Sequence, residues 1–353
     1  MILTPTKFSR KFILLYISFI FILFSCSGQQ KRNIARAFYF WKGEFQLSTN
    51  ELSYLKSLDI KKLYLRFFDV DWNSNINAAV PVGDVEINLP SLKNIEIIPT
   101  IFITNRTLTN IPDSSISQLS KNIFNKISTK SALFKNIKLK EIQLDCDWNI
   151  PTKDKYFSLI KDLEKLAKQA SIIISATIRL HQVKYFEKTG VPPVKKGMLM
   201  FYNMSNVSDY RTRNSIFDEE VAKRYLVNFD KYPLNLDVVL PAFSWGVHFR
   251  RDKIKGLIND LTQKQLLETG KFRKLDKTHF LCEKNFTDFG RSFYKNDMIR
   301  LEEITPETTL AAARMISEYL KNKNITIAIY HLNEGLIKNY ETKDIQNIFS
   351  AFN

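Results

Sequence analysis

The sequence predicts an α/β fold: a (β/α)8 TIM barrel with an insertion between its seventh and eighth strands. Three observations carry this. Eight strand-like runs alternate with helix-like stretches over about 300 residues, the pattern of parallel βαβ units in the number that closes a barrel. Within strands, one face is aliphatic and the other turns polar toward the C-terminal end. Ile172, Ile174, Ala176, Ile178 and Leu180, for example, oppose Ser175, Thr177, Arg179 and His181. A strand of an open parallel sheet, covered by helices on both sides, is apolar on both faces. No glycine-rich phosphate loop follows any strand, which argues against the nucleotide-binding form of the main rival, a doubly wound sheet.

The elements follow in order. Residues 37–41 form the first strand. An amphipathic helix over 48–58 opens with Ser48-Thr49-Asn50-Glu51, in which Ser and Glu can cap each other's backbone N–H groups. The second strand, 62–68, sets Leu63, Leu65 and Phe67 against Tyr64, Arg66 and Phe68, and the third spans 96–103. A helix near 115–126 leads to the fourth strand, 141–147, where Ile142, Leu144 and Cys146 oppose Gln143, Asp145 and Asp147. A helix over 153–169 precedes the fifth strand, 171–180. The sixth is 197–203 and, after a helix over 219–229, the seventh is 236–243. Residues 246–304 are then a long excursion over the barrel mouth, with a helix expected over 253–268. A helix over 306–322 and the eighth strand, 325–330, complete one domain over 37–353.

The start of the chain reads as an address. Lys7, Arg10 and Lys11 precede an apolar run over 12–24, broken only by Ser18. That run is shorter than the ~20 residues a spanning helix needs, and a basic segment before a short apolar one marks a secretory signal. Leu23-Phe24-Ser25-Cys26 resembles a bacterial lipoprotein box, with Phe24 bulkier than the usual residue there. The resemblance implies a signal peptide over 1–25, lipidation of Cys26 and a polar tether over 26–36. The protein is then expected in the cell envelope, held to the outer rather than the inner membrane by its N-terminal lipid. An uncleaved anchor, or an ordinary signal peptide with a chance Cys, is the alternative.

Composition bounds the partners. At 44% hydrophobic and 13% aromatic the chain can bury a sizeable core, and 10 Gly and 11 Pro exclude collagen-like and low-complexity classes. The formal charge of +16 falls to +13 when 1–25 is removed, since that segment holds three basic residues and no acid. The excess is spread along the chain without a nucleic-acid motif, and Lys outnumbers Arg 37 to 15. It therefore reads as composition bias on a protein at an anionic membrane surface, and nucleic acid is not an expected partner. Cys146 and Cys282 form at most one pair, with Cys146 read as a small core residue. The four His lack ligand spacing, so neither a metal nor a cofactor is expected. The single barrel is expected to be monomeric.

Candidate chemistry gathers at strand ends. Asp145 and Asp147, two apart on one strand, project the same way roughly 6–7 Å apart. At a barrel's C-terminal mouth such a pair tunes acid and base, because like charges that close raise one pKa. A structural role, pinning loops or holding a cation, fits the spacing equally. Trp41, Trp148 and Trp245 fall at three strand ends, where flat rings can stack on sugar faces or simply pack the rim. Arg66 and Asp69 end the second strand. Arg179 ends the fifth, where an ion pair with Asp145 or Asp147 is the favoured role over substrate binding. His331, Asn333 and Glu334 follow the eighth strand.

Asp145-Cys146-Asp147-Trp148-Asn149 resembles the end of the strand-four motif of the family-18 glycoside hydrolases, Asp-Gly-x-Asp-x-Asp-x-Glu. Met200-Phe201-Tyr202-Asn203 is similar to that family's Met-x-Tyr-Asp, and 238–243 to its aliphatic strand with a Pro-aromatic ending. The resemblance implies a carbohydrate-active barrel acting on N-acetylhexosamine-containing glycans, with Asp145 and Asp147 catalytic. Substrate contacts are then expected from Trp148, Asn149, Tyr202 and Asn203 within these motifs, beside the strand-end candidates Trp41, Arg66, Asp69, Arg179 and Trp245. The departures are chemical. Asn149 stands where the family has its proton-donating Glu, Ile142 where it has the first Asp, and Asn203 where it has the strand-six Asp. An amide cannot protonate a leaving group. Either Asp147 or Glu334 takes the role, or the chain is a non-catalytic glycan-binding lipoprotein. The chain also resembles bacterial lipoproteins with Asp-Cys-Asp-Trp at this strand and His-Leu-Asn/Asp-Glu after the last, a likeness that implies no activity.

Overall fold

The computed structural model describes residues 32–88, 94–134 and 139–353. The signal segment, Cys26 and most of the tether lie outside the described residues. Eight parallel strands close a barrel: β1 Asn33–Phe40, β2 Lys62–Asn73, β3 Glu96–Ile103, β4 Glu141–Asp145, β5 Ile173–Arg179, β6 Gly197–Met200, β7 Leu236–Pro241 and β8 Asn324–Tyr330. Each pairs with its sequence neighbour, and β8 pairs with β1 to complete the ring. The strand Ala78–Val82 folds back antiparallel on β2. All eight expected strands form, but β4 ends at Asp145 and β6 at Met200, so the residues that follow are loop.

The aliphatic faces meet the helices. Helix Lys153–Gln169 buries Tyr156, Leu159, Ile160, Leu163 and Ala167, a stripe at helical spacing. Helix Thr49–Ser57 starts with the expected capping box: Ser48 Oγ accepts from the Glu51 N–H at 3.1 Å, and Glu51 accepts from the Ser48 N–H at 2.9 Å. The opposite faces fill the barrel with polar groups, many of which hydrogen-bond one another, while the Tyr64 hydroxyl and Gln143 Nε2 are buried without a partner. Tyr39 stacks on Tyr64 with centroids 4.8 Å apart and donates to Gln143. At the N-terminal end Lys196 bridges Glu141 and Asp237, at 3.0 Å to each, and Ser175 donates to Glu141 at 2.6 Å. This plug packs the N-terminal end of the barrel, and the C-terminal mouth is where such a barrel places its site.

The excursion before β8 forms, but not as expected. Residues 253–268 are strand Lys253–Asn259 followed by a short helix, Gln263–Glu268. Gly256, at φ +145°, breaks any helix there, and the strand pairs antiparallel with Trp245–Arg250. The insertion is a five-stranded sheet with its own core, built from Leu261, Leu266, Phe280, Cys282, Phe293, Ile299 and others. Cys146 and Cys282 are both buried free thiols in different cores. Among the described residues no helix is long and apolar enough to cross a membrane.

Candidate active site

A cleft of about 400 Å³ opens at the C-terminal mouth. Its charged wall comes from β4 and β5. Asp145 is the last residue of β4 and Arg179 the last of β5, and the alternation that keeps Gln143 and Thr177 inside the barrel turns both into the mouth. The Asp145 side chain is 7% exposed and accepts from Thr177 Oγ1 at 2.6 Å and from Arg179 Nη2 at 3.3 Å. Asp147, just past the strand and 50% exposed, takes the Arg179 Nε–H. Burial pushes the Asp145 carboxyl above its ordinary value; Arg179 opposes that, Asp147 adds to it and Thr177 opposes it. Burial also works against the charge on Arg179, but Asp145 and Asp147 outweigh it and its pKa rises.

The facing wall is aromatic. Tyr202 packs on Tyr330 at 5.4 Å and edge-on to Phe243 at 5.7 Å. Phe243 meets Trp245 at 5.3 Å, and Trp41 lies 6.2 Å from Tyr330. These rings come from the ends of β1, β6, β7 and β8, so four strands build one surface. Beside Trp41, Arg66 forks onto both oxygens of Asp69. Gly83 backs the pair: at φ +55°, a side chain there would be strained and would set its Cβ 2.6 Å from Arg66 Nη2, so the guanidinium would have to shift.

Nine of the expected residues line this cleft together: Trp41, Arg66, Asp69, Asp145, Asp147, Arg179, Tyr202, Asn203 and Trp245. Three do not. Trp148 is fully buried, donates its indole N–H to the Thr189 carbonyl at 2.9 Å and stacks on Tyr156 at 5.1 Å. The parity that turns Asp147 inward turns Trp148 outward, under a helix, where no sugar reaches it. Asn149 is exposed and spends its amide oxygen on the Thr152 hydroxyl at 3.0 Å and the Thr152 N–H at 3.2 Å, starting the next helix. Glu334 begins helix Glu334–Asn339 outside the cleft lining and accepts from Ser48 Oγ at 2.7 Å. It is not positioned as a substitute acid.

The cleft also contains residues that the strand pattern passed over. Phe102 sits opposite Asp145 in the β3–β4 register, so alternation along β3 marks it as mouth-facing. Asn259 and Asp260 come from the insertion, and their place was hidden by the helix expected there. Asp260 accepts from Asn333 Nδ2 at 3.2 Å, and the same amide lies 3.5 Å from His331 Nε2. Burial lowers the His331 pKa, with Asp260 opposing. Among the described residues no cluster of three or more metal-binding side chains occurs.

No family model and no curated protein sequence matches the chain. Solved structures do. The GH18 chitinase ChiB from the chitin utilization locus of Flavobacterium johnsoniae is 12% identical, with 92% of this chain and 94% of that one covered at a TM-score of 0.54. The spore cortex-lytic enzyme SleL of Bacillus megaterium is 12% identical over 92% of this chain and 76% of its own, also at 0.54. A chitinase-like agglutinin from Robinia pseudoacacia is 12% identical over 90% and 99%, at 0.53. The chain therefore has the GH18-like TIM-barrel fold, a glycoside hydrolase-like architecture.

Proposed function

We propose that this chain is a lipid-anchored, carbohydrate-active barrel of the cell envelope whose cleft takes N-acetylhexosamine-containing glycans and hydrolyses their glycosidic bonds. The observation that carries it is the Asp145–Asp147–Arg179 wall facing an aromatic wall across one cleft. Aromatic rings offer flat apolar faces to the C–H surfaces of sugar rings, while the charged wall addresses hydroxyls and amides. Asp145 is the cleft carboxyl with a raised pKa, which is what a proton donor to a leaving oxygen requires. Asp147, more exposed, supplies negative charge beside the oxocarbenium-like transition state. The chitinase and the cortex-lytic enzyme of the same fold support this substrate class.

A second reading, glycan binding without hydrolysis, is favoured by one arrangement: Arg179 engages both carboxylates while Asn149 stands in the acid's place. The deciding experiment is a glycan array with the detergent-solubilised full chain, followed by product analysis on every hit. Turnover that disappears in Asp145→Asn supports the first reading. Binding without products selects the second, and no binding removes both. The anchor is tested separately: Cys26→Ser is expected to move the protein from the membrane fraction to the soluble one, as shown by fractionation and by loss of labelled fatty acid.

A further inference from the structure

We infer that the buried Arg300–Glu302 ion pair is the positioning element of the cleft's aromatic wall. It fixes Trp245 and the loop that carries Asn203, so the insertion takes part in selecting the sugar; this rests on the glycan reading above. The antiparallel register of strands Trp245–Arg250 and Met298–Glu302 sets Trp245 directly opposite Glu302, which brings the two side chains to one face. Both members of the pair are fully buried. Glu302 Oε2 accepts the Trp245 indole N–H at 2.9 Å, the Ser215 N–H at 2.8 Å and the Ser215 hydroxyl at 2.6 Å. Its Oε1 accepts from Arg300 Nε at 2.6 Å. Arg300 donates onward to the Asp209 and Val207 carbonyls at 2.6 and 2.9 Å. The residue after Ser215, Ile216, accepts the Asn203 N–H at 2.8 Å. Two cleft residues, Trp245 and Asn203, thus hang from one carboxylate.

A buried ion pair adds little net stability over an apolar pair of the same size, whereas its partners hold neighbouring groups in one arrangement. A purely structural role predicts loss of stability alone; positioning predicts loss of ligand affinity in a protein that stays folded. The test uses the detergent-solubilised full chain and a chitooligosaccharide series, with indole ¹H–¹⁵N resonances recorded for the four Trp. Glu302→Gln keeps an acceptor for the indole and Glu302→Met does not. Expected are loss of the exchange-protected Trp245 resonance and a roughly tenfold weaker affinity in Glu302→Met, with both retained in Glu302→Gln. A folded Glu302→Met chain with native resonance and affinity overturns the inference. Should that variant not fold, Ser215→Ala, which removes one hydroxyl anchor of the carboxylate outside the cleft lining, carries the test: a shifted Trp245 resonance with weaker affinity supports positioning, and a native resonance with native affinity overturns it. A native chain that binds no chitooligosaccharide defeats the glycan reading, and the resonance alone then decides the positioning.

Discussion

Arg179 is the residue on which the charged wall depends. It is the shared partner of two carboxylates, one of them nearly buried. Removing one side of such an arrangement leaves an uncompensated charge. Arg179→Ala is expected to cost about 3 kcal/mol in urea unfolding, and Arg179→Lys less, since an ammonium keeps the compensating charge although it cannot fork onto both acids. Two other acids give stability a pH dependence. Arg106 and Thr104 hold Asp71 down to about 2, and the Thr278 and His279 backbone N–H groups hold Asp276 at about 2, both below an ordinary 3.8. The native state binds these protons more weakly than the unfolded chain, so their stabilisation is full above pH 4 and lost as pH falls toward 2. Asp145 has the opposite sign: its raised native pKa makes the fold lose stability as pH rises from 3.8 through that value. Thermal unfolding between pH 2 and 7 should flatten at the acid end in Asp71→Asn. At this scale Asp145, Asp147, Arg179 and Tyr202 were legible because residue type and strand parity agree, whereas Arg66 and Asp69, of opposite parity, share the cleft across the irregularity in β2 and Asn203 enters it on a left-handed backbone. Trp148 was misplaced because its type suggested sugar stacking while its parity, shared with Ile142, Leu144 and Cys146, already assigned it to the core. Trp148→Ala should therefore cost about 3–5 kcal/mol, measured by urea unfolding.

Elements were legible where periodicity is strong and local. The 153–169 helix and β3 occur over the expected residues because their apolar spacing and ends are unambiguous. The 253–268 segment was not, because a short strand with lysines at alternate positions and a short helix together imitate one amphipathic helix. Only Gly256 and the two-residue hairpin turn at Arg251 and Asp252, both with left-handed backbone, which folds the segment back on Trp245–Arg250, separate them. Turn chemistry bears on the site as directly as the strands do. Gly83 holds a left-handed backbone against the Arg66 fork, so Gly83→Ala is expected to cost about 1–3 kcal/mol and to disturb the Arg66–Asp69 side of the cleft. A Gly83→Ala chain with native Tm and native glycan affinity would refute that coupling.

For the whole molecule, eight strand runs with one polar face each identified a closed barrel, and the solved structures of the same fold agree with it at about one residue in eight. Fold follows from patterning, which many sequences share; the reaction follows from a few atoms. The departure at Asn149 from the family-18 motif was visible in the sequence, but the Arg179 bridge to both carboxylates and the place of Glu334 outside the cleft lining needed three-dimensional placement. The insertion leaves the barrel at Trp245 and returns at Glu302, residues that face each other across adjacent strands, and β7 pairs with β8 without its help. Departure and return lie side by side, so the insertion is a graft on a closed stem, and a short turn between 244 and 303 is long enough to replace it. A chain shortened in this way is expected to keep the barrel and its Asp145–Arg179 wall while the rim loses Trp245 and Asp260.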